Sequence, residues 1–228
     1  MASLSVGLLI FPKVQQLDLT GPYEVFATLP DTEVSLVWKT TGPTESVTGM
    51  VIEANQTFDT APAFDVLCVP GGPGVNALME DEEVLAFIRA QAAAVKYITS
   101  VCTGSLVLGA AGLLKGRRAT THWASHHLLS RLGAEPVEAR VVRDGPIWTG
   151  GGVTAGIDMA LGVVEALRGR EAAETVQLYL EYAPEPPFAS GHPSEAPDAI
   201  VATARETVRP SVDAREAIVA RLEARAAG

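Results

Sequence analysis

The two cysteines of this chain stand in different sequence contexts, and only one has the surroundings of a nucleophile. Cys102 follows the short apolar segment Tyr97–Val101 and precedes an apolar stretch of helical composition. Ser100 and Gly104, two residues before and after it, are small, which is the steric pattern of a nucleophile elbow. A thiolate at such a turn could attack an electrophilic carbon and form a covalent intermediate. Cys68 lies inside the run VLCVP and is predicted to be a core residue.

The helix expected after Cys102 predicts a low pKa for its thiol, because the positive end of a helix would point at the sulfur. A thiol with a pKa near 8.5 is only about 3% ionised at pH 7, whereas a pKa of about 5.5 makes it about 97% thiolate. The alternative is that Cys102 is a small buried side chain, as most free cysteines are.

Two other loops are expected at the same sheet edge. Asp18 follows the first predicted strand; its carboxylate could form a turn or cap, or it could face the thiol as an acid or base. Gly71 and Gly72 follow the strand Asp65–Pro70, and their amides could form an oxyanion site or only a turn. The segment Gly72–Ala77 also fits a dinucleotide-binding pattern, but it follows a late strand and lacks the acidic residue expected about 20 positions on, so that interpretation is rejected.

The histidines do not predict a metal site. His122 and His126 are four residues apart and could share a helix face as metal ligands, but no third ligand is evident. With only two cysteines there is no disulfide framework and no cysteine-based metal box. His122, in the segment Thr121-His122-Trp123, could instead end a strand and approach the site.

Strand-like and helix-like segments alternate along the chain, which predicts an α/β fold with a mainly parallel sheet and helices on both faces. Predicted strands include Ser5–Phe11, Val34–Lys39, Asp65–Pro70, Tyr97–Val101 and Ile147–Thr149, with Gly49–Phe58 at the sheet periphery. Predicted helices start at Gly21-Pro22, after a turn that carries Asp18, and cover Glu82–Ala94, Thr103–Leu114, Thr154–Arg168, Glu171–Tyr182 and Ala199–Ala227.

Length and composition favour one large globular domain. The chain has 228 residues, 47% of them hydrophobic and 19% charged. A formal net charge of −10 argues against binding to duplex DNA, since neutralising the phosphates needs a surface rich in Lys and Arg. The run Val6–Phe11 is interpreted as a strand and not as a signal peptide, and no apolar run approaches the roughly 18 residues of a membrane helix. A cytoplasmic protein with reduced thiols is therefore expected.

Four segments together resemble the ThiJ/PfpI superfamily, and within it the isocyanide hydratase branch. They are Val14–Pro22 (VQQLDLTGP), Cys102–Leu114 (CTGSLVLGAAGLL), Ala119–Trp123 (ATTHW) and Glu181–Phe188 (EYAPEPPF). The resemblance implies a flavodoxin-like α/β fold. It covers residues 5 to 190, with 1–190 as the catalytic domain and 191–228 as a C-terminal helical extension of it. We expect that helix to embrace a partner subunit.

The resemblance also implies a reaction and its residues. Cys102 would be the nucleophile that hydrates an organic isocyanide to an N-substituted formamide through a thioimidate, and Asp18 would be the general acid or base. Thr103, Gly71 and Gly72 would hydrogen-bond the sulfur or the developing charge. No metal or organic cofactor is needed, and a homodimer is expected by analogy.

One departure from the superfamily pattern restricts the chemistry. Many members carry His directly after the nucleophilic Cys, whereas this chain has Thr103, which argues against peptidase-like dyad chemistry and agrees with the hydratase pattern. Three alternatives remain: a glyoxal-processing or oxidative-stress thiol protein of the same superfamily, a ligand-sensing domain related to transcription regulators, and a binding protein that keeps the elbow without turnover. Only 46 residues (228 − 182) follow Tyr182, fewer than the helix-turn-helix module of such regulators.

Overall fold

Seven strands form a central sheet in the computed structural model, which describes residues 3–227. The strand order is β10-β11-β7-β6-β1-β2-β5, and every neighbouring pair is parallel except β10 and β11. The sheet strands are β1 (Leu4–Leu9), β2 (Thr32–Trp38), β5 (Gln56–Thr57), β6 (Val66–Val69), β7 (Tyr97–Val101), β10 (Val141–Asp144) and β11 (Ile147–Gly150). Two small ribbons pair β3 (Pro43–Glu45) with β4 (Val51–Glu53) and β8 (Arg118–Ala119) with β9 (Glu135–Pro136).

Helices cover both faces of this sheet. The helices are α1 (Gln16–Thr28), α2 (Val75–Leu78), α3 (Glu82–Ala92), α4 (Gly104–Ala110), α5 (Leu128–Arg131), α6 (Ala155–Arg168), α7 (Arg170–Tyr179) and α8 (Asp198–Ala227), with a 3₁₀ turn at Trp123–Ser125. Along β1, Val6 and Leu8 pack towards α1, α6 and α7, whereas Leu9 packs towards α3 and α4. Because both faces of the parallel strands are buried, their sequences are continuous apolar runs. The predicted α/β, flavodoxin-like class is confirmed.

The first helix begins earlier than predicted. It starts at Gln16, so Asp18 lies in its first turn and Pro22 lies inside it. The N–H of Gln15 donates to the carbonyl of Gly71 at 2.9 Å, a contact between distant segments that fixes the start of α1. Pro22 is tolerated because its ring packs closely against Gly156 of α6, where an added Cβ would approach the ring to 3.0 Å.

Two other helices end sooner than predicted. The helix after Cys102 ends at Ala110, because Gly112 turns the chain with φ +81° before Leu114 is reached. The helix predicted to Tyr182 ends at Tyr179, and Glu181 adopts φ +49°.

The second half of the C-terminal helix packs on its own chain, whereas its contact with a partner subunit stays a prediction. Ile218 and Val219 are buried in the same core cluster as α3 and α4. Arg221 and Glu223 form ion pairs with Glu80 and Arg131, which anchor α8 beside α2 and α5. The predicted extension 191–228 ends at Gly228, which lies outside the described residues, as do residues 1 and 2 of the predicted catalytic domain.

None of the helices within residues 3–227 has the length and apolar character that crossing a membrane requires.

Candidate active site

Three neighbouring strands of the sheet bring the candidate residues to one edge. β1, β6 and β7 are adjacent and parallel, so their carboxyl ends lie side by side. Asp18 follows β1, Gly71 follows β6 and Cys102 follows β7. Ligands of open α/β sheets bind beyond the carboxyl ends of the strands, near the point where the strand order reverses. Here that point lies between β1 and β6.

Cys102 occupies a strained turn between β7 and α4. Its φ of +53° is left-handed, a conformation that costs a non-glycine residue free energy and recurs at functional sites. The turn brings α4 so close to β6 that a Cβ on Gly104 would lie 2.0 Å from the carbonyl oxygen of Val69. From the far side, the Thr121 hydroxyl donates to the carbonyl of Cys102 at 2.9 Å. The small residue required at position 104 is therefore explained by direct contact.

Asp18 is a fully buried carboxyl beside the thiol. Its Oδ2 accepts a hydrogen bond from the N–H of Gly71 at 2.9 Å, and its Oδ1 accepts none from any residue within 3–227. Burial raises the pKa of Asp18 to about 7, although the Gly71 N–H and the Cys102 thiol both lower it. A carboxyl with a pKa near neutrality can both take and give a proton at physiological pH.

The glycine loop after β6 fixes the positions of Asp18 and Thr103. The N–H of Gly72 donates to Thr103 Oγ1 at 3.1 Å, in a backbone conformation of φ +125°. A Cβ on Gly71 would lie 2.6 Å from the N of Thr103 and 2.8 Å from Asp18 Oδ2. Gly71 is thus wedged between the carboxyl and the residue after the nucleophile. Both glycine amides already bind protein acceptors, so they fix the geometry of Asp18 and Thr103.

The predicted low pKa of the Cys102 thiol is wrong. Burial raises its pKa well above the ordinary value, and the negative charge of Asp18 adds to that effect. The backbone N–H and the hydroxyl of Thr103 lower it, but by less. With α4 only seven residues long, the burial of the thiol outweighs these favourable contacts. At rest Cys102 therefore keeps its proton as a thiol, and the carboxyl of Asp18 titrates near neutrality.

His122 is neutral in this environment. Burial, and then the charge of Arg215, lower its pKa to about 4. Its Nδ1 accepts the N–H of Ala124 at 3.4 Å, which caps the 3₁₀ turn. His122 therefore lies before that turn and shares no helix face with His126. Within residues 3–227 no three His, Cys, Asp or Glu side chains group as metal ligands.

The structure brings together Asp18, Gly71, Gly72, Cys102 and Thr103, all five residues singled out in the sequence. Two others were missed. Thr121 supports the elbow, and Arg215 of α8 lowers the pKa of Cys102 through its charge. Arg215 lies on the same stripe of α8 as Ile218, Val219 and Leu222, a spacing that could have marked it as a buried cation.

Comparisons with known proteins agree on one family. The model of the DJ-1/PfpI family matches residues 4–166. The chain is 59% identical over 223 residues to the isonitrile hydratase of Pseudomonas putida, covering 98% of each chain. A solved ThiJ/PfpI family protein from Pseudomonas syringae is 42% identical and superposes with a TM-score of 0.93, covering 96% of this chain and 91% of that one.

A transcriptional regulator is also similar, over a shorter length. The HTH-type regulator GbdR of Pseudomonas aeruginosa is 35% identical over 138 residues, which are 59% of this chain and 37% of the regulator. The alignment with the isonitrile hydratase covers 98% of this chain and therefore includes α8. The match of the family model ends at residue 166, before α7 and α8 begin.

Proposed function

Since the chain belongs to the DJ-1/PfpI family, we propose that it hydrates organic isocyanides to N-substituted formamides with Cys102 as nucleophile and Asp18 as general acid and base. The observation that carries this proposal is the 59% identity to an isonitrile hydratase over 98% of both chains. The proposal is also supported by the pairing of a thiol on a strained backbone turn with a carboxyl of pKa about 7. Isocyanide hydration needs both a nucleophile and a group that relays protons.

The first half of the reaction forms a covalent adduct. Asp18 as carboxylate takes the proton of the Cys102 thiol, and the sulfur attacks the terminal carbon of R–N≡C. The resulting acid Asp18–COOH returns that proton to the same carbon, which gives the thioimidate R–N=CH–S–Cys102. A resting thiol with a raised pKa suits this order of events, because its proton is delivered to the carbon that the sulfur attacks.

The second half releases the product. Asp18, again a carboxylate, takes a proton from water as the hydroxyl adds to the thioimidate carbon. Asp18–COOH then protonates the nitrogen, and the carbon–sulfur bond breaks. The hydroxyl proton passes to the departing sulfur, which gives R–NH–CHO and restores the Cys102 thiol. The sum is R–N≡C + H₂O → R–NH–CHO, which involves no change of oxidation state that an external oxidant or reductant would have to supply.

Thr103 and the glycine loop would assist both halves. The N–H and the hydroxyl of Thr103 both lower the pKa of Cys102, and so favour the negative charge of its sulfur. Gly71 and Gly72 orient Asp18 and Thr103 through their amides, and so act on the developing charge through these two side chains. Neither half calls on a metal or an organic cofactor.

The chain would work as a cytoplasmic homodimer. Two adjacent apolar side chains on α7, Leu178 and Tyr179, are 81% and 74% exposed, and a second copy would cover them. Light scattering after gel filtration should give a mass of twice 23.9 kDa.

The test of the proposed activity is turnover of an aryl isocyanide by the wild type, followed by absorbance and by NMR of the formamide. We expect formamide in stoichiometric amounts, and none above the uncatalysed rate with Cys102→Ala. Methylglyoxal assayed in parallel addresses the glyoxal-processing alternative. A folded wild type that leaves the isocyanide untouched would contradict the proposal, and consumption of methylglyoxal alone would favour that alternative.

A further inference from the structure

The C-terminal helix touches two of the segments that build the site. At its middle, Asn76 Nδ2 of α2 donates to the carbonyl of Ser211 at 3.5 Å, and α2 directly follows the glycine loop. On another side, α8 packs on the 3₁₀ turn Trp123–Ser125, which lies two residues after Thr121, the residue bound to the carbonyl of Cys102. Because the family model ends at residue 166, this contact is an addition to the family's common core.

Arg215 is the charged group at that contact, and it is 5% exposed. Its guanidinium donates to two hydroxyls, Ser125 Oγ at 3.2 Å and Ser211 Oγ at 2.9 Å. Its Nε–H has no acceptor among residues 3–227, and no carboxylate in that range forms an ion pair with it. A buried cation without an anionic partner is costly, since burial removes its hydration. Such an arrangement indicates that the compensating negative charge arises elsewhere, during function.

The anion whose charge acts on Arg215 is the thiolate of Cys102. The charge of Arg215 lowers the pKa of Cys102. Burial lowers the pKa of Arg215, and the negative charge of the Cys102 thiolate opposes that effect. The other titratable groups that face this pair are Asp18 from α1, which opposes ionisation of the thiol, and His122, which stays neutral. Within residues 3–227, Arg215 is thus a buried cation whose charge favours the negative charge of the thiolate.

We infer that Arg215 is a positioning residue of the active site, through which the C-terminal helix stabilises the thiolate of Cys102. The inference rests on the proposed role of Cys102 and deepens it. It assigns α8 a task in the chemistry: the helix supplies the charge that the buried site otherwise lacks. Arg215 acts through the sulfur and touches no substrate atom.

The test measures the thiol itself, so that it does not depend on isocyanide turnover. The rate of Cys102 alkylation by iodoacetamide is followed by intact mass from pH 6 to pH 10, with Cys102→Ala as the blank. Because the raised pKa keeps Cys102 mostly a thiol across this range, the rate at each pH reports its thiolate fraction. In Arg215→Met we expect alkylation to be about tenfold slower than in the wild type at the same pH. Arg215→Lys keeps the charge and should stay within about threefold of the wild type.

Arg221→Met is the matched control, because Arg221 anchors the same helix to Glu80 with Nε–Oε1 at 3.0 Å and lies on the surface. It should leave the alkylation rate at each pH unchanged. The inference is overturned if Arg215→Met is alkylated at the wild-type rate, or if Arg221→Met or Arg215→Lys slows alkylation equally. Exchanging an unpaired buried cation for Met should not unfold the protein, and circular dichroism checks that. If Arg215→Met does unfold, the comparison of Arg215→Lys with Arg215→Gln decides in the same way.

Discussion

The two cysteines lie on or directly after neighbouring strands of the same sheet, and their surroundings differ between the core residue Cys68 and Cys102, the proposed nucleophile. Cys68, in the middle of β6, is fully buried, and Cys102, at the end of β7, is 6% exposed. Burial raises the pKa of both, that of Cys68 to about 12, and the charge of Asp18 adds to the effect in both. The resting ionisation state therefore does not distinguish them.

What distinguishes them is geometry and the neighbours that can respond. Cys68 has extended backbone within a ladder, and the side chain near its sulfur is Thr99. Cys102 has a left-handed backbone and lies at the sheet edge next to Thr103 and a carboxyl that can exchange a proton with it. The proposed reactivity of Cys102 thus rests on a turn and a proton acceptor at the strand end, and not on a low resting pKa.

The largest expected effect comes from exchanging each thiol for Ala. Cys102→Ala should lower kcat/KM for an aryl isocyanide by at least about 10⁴-fold, because the covalent intermediate is lost. Cys68→Ala should keep kcat/KM within about threefold of the wild type and lose only core packing, which thermal unfolding would register. Equal losses in the two variants would contradict the contrast between the cysteines.

The next effect isolates the proton acceptor. Asp18→Asn keeps the shape and the hydrogen bond from Gly71 but carries no proton to transfer, so kcat/KM should fall about 10³-fold. The same change removes the negative charge that raises the pKa of Cys102, and iodoacetamide should therefore alkylate Cys102 faster.

Turnover and alkylation thus move in opposite directions in Asp18→Asn, which a general loss of structure would not produce. Asp158 is a partly buried carboxylate of α6 that pairs with Arg140, away from the thiol. Asp158→Asn serves as the control and should change neither rate by more than about twofold. Slower alkylation together with slower turnover in Asp18→Asn would contradict the assigned role of this carboxyl.

A third variant tests the spacing between the two partners. Gly71→Ala would place a methyl group 2.6 Å from the N of Thr103 and 2.8 Å from Asp18 Oδ2, so both must move. A displacement of this size at a reacting centre costs about 10²-fold in kcat/KM. Gly152→Ala is the control, since a Cβ at Gly152 meets no atom of the described chain within 4 Å. If Gly71→Ala retains full activity, the wedge between Asp18 and Thr103 is not needed for turnover.

The sequence predicted the parts of this site that local patterns encode. Apolar runs identified the strands, and the small residues at positions 100 and 104 identified the elbow. At position 104 the close approach between α4 and β6 excludes a larger residue. Parallel strands end at one edge, so Asp18 and the glycine loop were expected beside Cys102. The catalytic roles of these residues, and the division of the chain at residue 190, stay predictions.

The parts that sequence patterns missed depend on contacts between distant segments. The start of α1 is set by the bond between Gln15 and Gly71, which no local pattern encodes. The direction of the Cys102 pKa shift depends on burial and on the charge of Asp18, 84 positions away in the chain (102 − 18), and both outweigh the short helix α4. Arg215 was one arginine among several in a charged tail, and only its place on the apolar stripe separates it from Arg221.

The smallest expected effect is the change in the free energy of unfolding with pH that the titration of Asp18 causes. Its pKa is about 7 in the folded protein and 3.8 ordinarily, so the folded state holds a proton that the unfolded chain releases between pH 4 and pH 7. The stability from this group is complete below pH 4 and is lost as the pH rises through 7. From pH 5 to pH 7 the free energy of unfolding of the wild type should therefore fall by about 2 kcal/mol relative to Asp18→Asn, as measured in urea.

His122 works in the opposite direction, because its pKa of about 4 lies below the ordinary 6.5 and its contribution is lost as the pH falls. It is present in both proteins and cancels in their difference, so the difference isolates Asp18. Asp65→Asn provides the reference: a lowered pKa makes its contribution constant above pH 5, and its difference from the wild type should be flat from pH 5 to pH 7. A flat difference for Asp18→Asn as well would mean that Asp18 is ionised throughout this range, which would contradict the pKa of about 7 that supports its role as a proton relay.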